Sequence, residues 1–260
     1  MLNNMLNVFD GIQLGGQPAN EFLYILFISV IIGFIMNQIL IKFCIKPEWK
    51  VEYEGSPLWT YYMCWATQFF VFPYLTYVTL KQYDFDLNKF LSTTLDECNN
   101  DMSDNGICWL RYDAFILIAY FVKDISICSG LQVIHHLTGA SLVLVFLYTT
   151  YGGSGYILSI LVMEDANMFW NLTTILPNFL IQLKCIFSVI TFTVYTLVHI
   201  FNFYILYFMC VSLNFNTWLQ RICLCVTAAG VMYLRQEVIT NIMLKEMKTN
   251  CCNEKEKKEK

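Results

Sequence analysis

Long apolar runs occupy most of this chain, and each is about as long as a lipid bilayer is thick. A helix of roughly 20 apolar residues crosses the hydrocarbon core, so such runs are typical of membrane-spanning helices. The sequence therefore predicts an all-α fold, a polytopic membrane helix bundle, in which Pro73 interrupts the second span and Pro177 ends the fifth. The seven predicted transmembrane helices are residues 22–45, 58–80, 107–122, 125–148, 156–176, 185–213 and 218–243.

The composition agrees with a membrane domain and excludes several classes of function. Of the 260 residues, 57% are hydrophobic and 14% are charged, whereas soluble domains carry roughly 25% charged residues. The spans leave no length for a large catalytic module outside the membrane. The formal net charge of −4 offers no basic surface, so we predict no nucleic-acid partner.

The chain is predicted to have four parts. The segment before the first span lacks the basic residues and the small-residue cleavage site of a secretory signal, so this span is predicted to be retained. The parts are a luminal N-terminal segment (1–21), a first transmembrane helix (22–45), a membrane domain (50–245) and a cytosolic lysine-rich tail (246–260).

The basic residues predict the orientation in the membrane. With seven spans, twelve of the 16 lysines and arginines fall on the same side of the membrane as the C-terminus, and four fall on the opposite side. Because basic loops tend to stay in the cytosol, we predict a luminal N-terminus and a cytosolic C-terminus. The four luminal basic residues are Lys81, Lys89, Arg111 and Arg221.

Two of the eleven cysteines are placed for oxidation. Cys98 and Cys108 flank an acidic stretch in the predicted luminal loop, where they either form a disulfide or remain thiols. Cys251 and Cys252 follow the last span and are either palmitoylated or an exposed reduced pair. The cysteines in apolar runs are predicted to act as small hydrophobes, and they are Cys44, Cys64, Cys128, Cys185, Cys210, Cys223 and Cys225.

The last four residues resemble an address signal. Lys257 and Lys258 stand at the fourth and third positions from the C-terminus, which is the dilysine pattern that coat machinery reads when it returns proteins to the endoplasmic reticulum. The alternative is a solvated charge run. We predict a multi-pass protein of the endoplasmic reticulum membrane whose tail binds this coat machinery.

Polar side chains inside the spans are the candidates for a functional site, because they cost a few kcal/mol at the bilayer centre unless they face a partner or a wet cavity. In the fifth span, Glu164, Asn167 and Asn171 fall within about 60° of one another on a helix, and Asp165 is offset by one residue. The spacing predicts a polar face on this helix.

The fourth span carries a histidine pair. A helix that starts near Ile125 places His135 and His136 about 15 Å deep, near the predicted level of Glu164, whereas a later start leaves them near the cytosolic surface. Small residues after the pair, Gly139 among them, would let a neighbouring helix approach closely. The pair is predicted to belong to a functional site, and two buried structural histidines are the alternative.

Other candidates are weaker. In the sixth span, Thr191, Tyr195, His199 and Asn202 follow helical spacing and serve either the site or interhelical hydrogen bonds, and Gln68 in the second span is weaker still. Three histidines are too few for the cage of about eight that a membrane di-iron enzyme requires, and no Gly-x-Ser-x-Gly motif is present. We predict no metal site.

Two motifs follow one another in the fourth and fifth spans. They read Val133-Ile134-His135-His136-Leu137-Thr138 and Met163-Glu164-Asp165-Ala166-Asn167, with Asn171 after the second. This order resembles the TLC domain, a family that groups translocating-chain-associated proteins, the ceramide synthases of the longevity-assurance group and small lipid-related membrane proteins. The resemblance covers residues 50–245 and implies a helical membrane domain concerned with lipids.

In ceramide synthases, the histidine pair is followed by two aspartates spaced D-x-x-D, and together they support N-acylation of a sphingoid base. The resemblance implies that His135 or His136 would be the base or acyl acceptor, with Glu164 orienting it and acyl-CoA as co-substrate. Here Glu164 and Asn167 stand at the D-x-x-D spacing, and a neutral amide cannot replace a carboxylate in proton transfer. The chain looks more like the non-synthase branches.

We predict a protein that binds or handles membrane lipid in a buried polar cavity and contributes to lipid homeostasis, with no cofactor. The predicted lipid-binding residues are His135, His136, Glu164, Asp165, Asn167, Asn171 and His199. One alternative is a ceramide-synthase-like N-acyltransferase with His135, His136 and Glu164 as catalytic residues. A second is a cargo receptor cycling between endoplasmic reticulum and Golgi, with a luminal binding loop.

Overall fold

The computed structural model confirms the predicted helical character. It describes residues 13–14, 17–39, 41–42, 52–53, 56–94, 97–98, 108–125, 127–148, 153–176 and 180–212, together with twelve positions between 222 and 244, all of them helical. The strands among these residues are two residues long and pair antiparallel, with Gln13 opposite Pro18 and Glu52 opposite Pro57.

The helices overlap six of the seven predicted spans, and the seventh, 218–243, lies mostly outside the described residues. The strands are β1 (Gln13–Leu14), β2 (Gln17–Pro18), β3 (Glu52–Tyr53) and β4 (Ser56–Pro57). The helices are α1 (Ala19–Ile39), α2 (Leu58–Ala66), α3 (Phe72–Gln82), α4 (Leu87–Ser92), α5 (Trp109–Asp124), α6 (Leu131–Tyr148), α7 (Gly153–Ile175) and α8 (Ile181–Ser212), and a π-helical segment, Thr67–Val71, joins α2 to α3.

The π-helical segment has a cause in the sequence. Pro73 has no N–H to donate, and in a regular α-helix its ring would clash with the carbonyl group four residues earlier. The backbone instead forms a wider turn, in which the N–H of Phe72 donates to the carbonyl oxygen of Thr67, five residues before it. The interruption predicted at Pro73 is therefore a π turn, and the helical path continues to Gln82.

Of the two starts that the sequence left open for the fourth span, the structure has the later one, because α6 begins at Leu131 and not near Ile125. The N–H groups of Ile127 and Cys128 both donate to the carbonyl oxygen of Asp124, and Gly130 adopts a φ of 56°. This turn ends one helix and starts the next. His135 and His136 consequently lie only about 6 to 8 Å from the start of α6.

The chain divides into two compact units. The first contains Met1–Trp59 and Tyr77–Leu158, and the second contains Thr60–Thr76 and Ser159–Lys260. In the first unit, α5 packs against α1 and α6. In the second unit, Ala166, Tyr195 and Met243 form a buried cluster, with Trp170, Val194 and Val198 against it.

A close contact joins α1 and α5 in the first unit. A Cβ atom added to Gly33 would lie 2.9 Å from the Cβ atom of Lys123, so the two helices approach where α1 has no side chain. One turn later, the Nδ2 atom of Asn37 donates to the carbonyl oxygen of Lys123 at 3.0 Å and to Oδ1 of Asp124 at 3.5 Å. These contacts fix α1 against the C-terminal end of α5.

One helix among the described residues is long and apolar enough to cross a membrane, and it is the 31-residue stretch Ile181–Val211 of α8. This helix exposes its apolar side, where Ile186, Leu197 and Ile200 are each more than half exposed. Its buried side carries polar residues, among them Thr191 and Asn202. Such a distribution is the reverse of that in a surface helix of a water-soluble protein.

Candidate functional site

A chain of hydrogen bonds links one buried carboxylate to three amides in the second unit. Glu164 is 1% exposed, and its Oε2 atom accepts hydrogen bonds from Nδ2 of Asn167 at 2.8 Å and from Nε2 of Gln68 at 3.1 Å. The Nδ2 atom of Asn171 donates to Oε1 of Gln68 at 2.6 Å. We call these four residues the Glu164 cluster. Their mutual hydrogen bonds offset the free-energy cost of burying these polar groups.

Local structure places the members of the cluster. Glu164, Asn167 and Asn171 are three and four residues apart on α7, so helical periodicity directs them to one face. Gln68 comes from the π-helical segment, where it is the buried residue. Single π turns inside α-helices are frequent at functional sites, and this one presents an amide to Glu164 and Asn171.

Asp165 lies outside the Glu164 cluster. Its Oδ2 atom accepts a hydrogen bond from Oγ1 of Thr76 at 3.5 Å, and its Oδ1 atom is buried without a hydrogen-bond partner in the described part of the chain. Adjacent residues on a helix point about 100° apart. The side chains of Glu164 and Asp165 therefore point in different directions, as their offset by one residue predicts.

The histidine pair belongs to the first unit, where it packs against Phe121 of α5. The centroid of the Phe121 ring lies 5.8 Å from that of His135 and 5.9 Å from that of His136. A Cβ atom added to Gly139 would lie 2.7 Å from Cζ of Phe121. The expectation that small residues after the pair permit close helix approach is confirmed at Gly139.

The histidine pair and the Glu164 cluster therefore fall in different units, and the structure gives each its own surroundings. His136 is buried, whereas His135 is half-buried. Their edge-to-face contacts with the Phe121 ring are of the kind that stabilises aromatic packing. These contacts fit a structural role for the pair in the first unit.

His199 has an amide partner in the second unit. Its Nδ1 atom lies 2.6 Å from Oε1 of Gln236, and the Nε2 atom of Gln236 donates to Oγ1 of Thr196 at 3.4 Å and to Oγ1 of Thr240 at 3.5 Å. The ring of Tyr195 lies 5.9 Å from that of His199. This network joins α8 to the helical positions after it, as the interhelical alternative expects.

Two buried polar residues, Gln68 and Asp113, have larger roles in the structure than the sequence pattern indicates. Asp113 on α5 is 0% exposed, and its Oδ2 atom accepts a hydrogen bond from Oγ1 of Thr79 on α3 at 2.6 Å. Its Oδ1 atom has no partner among the residues that the structure describes. Asp113 lies inside a predicted span, so its carboxyl group is a sequence signal of the same kind as that of Glu164.

The structure also bears on the cysteines. Cys98 and Cys108 form a disulfide, which resolves the alternative that the sequence left open. Cys185 is disulfide-bonded too, so the prediction that it acts only as a small hydrophobe is wrong, because an apolar run does not prevent oxidation. The tail residues Cys251, Cys252, Lys257 and Lys258 lie outside the described residues.

The Glu164 cluster contains one carboxylate and three amides. The carboxylate accepts hydrogen bonds from two of these amides, those of Asn167 and Gln68. A carboxyl oxygen that accepts hydrogen bonds, as Oε2 of Glu164 does, suits a partner that brings a donor. No protein-family model, curated protein or solved structure matches the chain.

Proposed function

We propose that this chain is a multi-pass protein of the endoplasmic reticulum membrane that binds the polar group of a lipid at the Glu164 cluster and so contributes to membrane lipid homeostasis. The observation that carries the proposal is a carboxylate buried at the midpoint of the helix α7 and held by amides. Ionisable groups at such depth in membrane helices usually serve a function.

Two features support a membrane location with a defined orientation. The apolar face of α8 is exposed and its polar face is buried, which suits a helix whose solvent is lipid. The distribution of lysines and arginines assigns the loop between Cys98 and Cys108 to the lumen, and its disulfide suits an oxidising compartment. The disulfide-bonded Cys185, at the start of the sixth predicted span on the predicted cytosolic side, does not follow this assignment. The remaining predicted spans complete the multi-pass arrangement.

Two sequence features support residence in the endoplasmic reticulum and lipid binding. Lys257 and Lys258 match a retrieval signal. The histidine pair followed by the Glu164 motif resembles the TLC domain, whose members include small lipid-related membrane proteins. Both features agree with lipid binding by a resident membrane protein.

Replacing Glu164 should release the bound lipid. Glu164→Gln preserves the size of the side chain but replaces one carboxyl oxygen with an amide N–H₂ group, which changes the hydrogen bonds that the site can form with a lipid polar group. We expect the amount of lipid that co-purifies in mild detergent, measured by mass spectrometry per mole of protein, to fall about tenfold. Glu237→Gln makes the same change at an exposed position and should retain the lipid. Equal retention by both variants would refute the proposal.

Acyl transfer is the second candidate function, and the resemblance to ceramide synthases is what favours it. The hydrogen bond from Asn167 to Glu164 argues against it, because that bond uses an amide donor where the synthases have an aspartate. We expect the purified protein to form no N-acyl product from a long-chain base and a panel of acyl-CoA donors. Product that disappears in the His135→Ala/His136→Ala variant would make the chain an acyltransferase.

A further inference from the structure

A tight turn between α3 and α4 exposes an aromatic ring. Asp84 and Phe85 adopt positive φ angles of 56° and 59°, a left-handed conformation that costs free energy in any residue with a Cβ atom and is an outlier for a bulky one. The side chain of Phe85 is nevertheless 55% exposed, so burial within the protein does not explain its position. Backbone strain of this kind persists where neighbouring contacts enforce it and is frequent at binding sites.

The contacts on both sides of the turn hold Phe85 in place. The N–H of Asp84 donates to the carbonyl oxygen of Lys81, and the N–H of Phe85 donates to that of Leu80, both at 3.0 Å. These two bonds satisfy carbonyl groups at the end of α3. The side chain of Asp86 then caps the start of α4. The end of one helix and the start of the next therefore fix the exposed ring.

The side chains around Phe85 are aromatic and basic. The ring of Phe85 lies 5.8 Å from that of Tyr77, which is itself half exposed. The Nζ atom of Lys81 lies 5.8 Å from the centroid of the Tyr77 ring. In membrane proteins, aromatic rings concentrate in the head-group layer, and lysines near the ends of spans extend their charge toward water. The end of α3 has this arrangement.

The start of α5 repeats the same combination. The N–H of Trp109 donates to Oε1 of Gln82 at 3.4 Å, which brings the first residue of α5 to the last residue of α3. The ring of Tyr112 is exposed and lies 6.3 Å from that of Trp109. Beside them, the guanidinium group of Arg111 lies 5.4 Å from the centroid of the Phe115 ring. Two helix ends at one level thus present aromatic and basic side chains together.

We call this surface the aromatic–basic patch, and its members are Tyr77, Lys81, Phe85, Trp109, Arg111 and Tyr112. We propose that the patch binds the head-group layer of the lipid bilayer and that Phe85 inserts its ring there. Lys81 and Arg111 supply charges that complement lipid phosphates. The exposed carboxylates of Asp84 and Asp86, on either side of Phe85, keep the insertion shallow because they stay in water.

This inference rests on the multi-pass part of the proposed function and is independent of the Glu164 cluster. Depth-resolved photolabelling tests it. The full-length protein in nanodiscs is exposed to either of two phosphatidylcholines, with a diazirine next to the glycerol (shallow probe) or at the end of an acyl chain (deep probe). We expect the shallow probe to label residues 82–89 at least about fivefold more than the deep probe, and the opposite order around Leu197, an exposed residue in the middle of α8.

The role of the Phe85 ring has its own variant. Phe85→Asn removes the ring, and asparagine adopts the left-handed conformation more readily than phenylalanine, so the melting temperature in detergent should not fall. We expect labelling of residues 82–89 by the shallow probe to decrease at least about fivefold. Asp84→Asn places the same side chain at the neighbouring left-handed residue, outside the patch, and should not lower the labelling.

The outcomes separate this inference from the proposed function. No labelling of either segment by either probe would refute the multi-pass membrane location, and the inference with it. Labelling of α8 by the deep probe without labelling of residues 82–89 would leave the membrane location intact and overturn lipid binding by the patch, in favour of a protein partner. Stronger labelling of residues 82–89 by the deep probe would contradict the shallow depth. Unchanged labelling in Phe85→Asn would show that the ring does not insert.

Discussion

Gly139→Leu should be among the most destabilising single substitutions in the chain. Even a Cβ atom at this position would lie 2.7 to 2.8 Å from three carbon atoms of the Phe121 ring. That ring is buried and packs against His135 and His136, so it has no free direction in which to move. Overpacking of this kind costs about 1 to 3 kcal/mol or more. We expect a clearly lower melting temperature in detergent, with α5 and α6 separated.

The matched control is Ser141→Leu, which adds the same side chain to an exposed position of α6. Its melting temperature should stay close to that of wild type, because an exposed leucine displaces no neighbour. A wild-type melting temperature in both Gly139→Leu and Ser141→Leu would contradict the close packing of Phe121 against α6.

Loss of the disulfide should have an effect of similar size. Cys98 and Cys108 are both buried, and Cys108 directly precedes the first residue of α5. Removing a cross-link that closes a short loop costs about 2 to 4 kcal/mol. We therefore expect Cys98→Ser and Cys108→Ser to lower the melting temperature of the purified protein by similar amounts.

The double variant is the control for this pair. Because each single change already breaks the cross-link, the second change should add little, so the effects should be far from additive. A wild-type melting temperature in either single variant would show that the disulfide does not hold the start of α5. Substitution rather than reductant is needed, since Cys185 is also disulfide-bonded.

Much of the Glu164 cluster could be predicted because its α7 members obey helical periodicity. Glu164, Asn167 and Asn171 share a face in the sequence and in the structure, and Asp165 is offset in both. The ends of α7 and α8 lie within a few residues of the predicted spans, because Pro177 and the polar flanks interrupt the apolar runs.

Partners from distant segments could not be predicted in the same way. Gln68 lies in the π turn before Pro73 and contacts Glu164 across 96 residues of sequence, and α-helical spacing alone contains neither the turn nor the contact. The start of α6 depended on a left-handed Gly130, which hydropathy does not register. Phe121 lies in an apolar run where nothing distinguishes it from its neighbours, although it is the residue against which both histidines pack.

The amide of Asn167 also bears on the chemistry that the Glu164 cluster can support. Asn167 donates to Glu164, a contact that an aspartate could make only by carrying a proton. A site with a single carboxylate and several amides can hold a polar group by hydrogen bonds, and this supports the proposal that the cluster binds one.

The most direct measurement is a cryo-electron microscopy structure of the protein in nanodiscs saturated with the lipid that co-purifies with it. We expect density for the polar group of that lipid within hydrogen-bonding distance of the Glu164 carboxylate, with Asn167 still in contact. A lipid-saturated structure in which Gln68 and Asn167 remain bound to Glu164 and the lipid polar group lies elsewhere would contradict binding at this cluster.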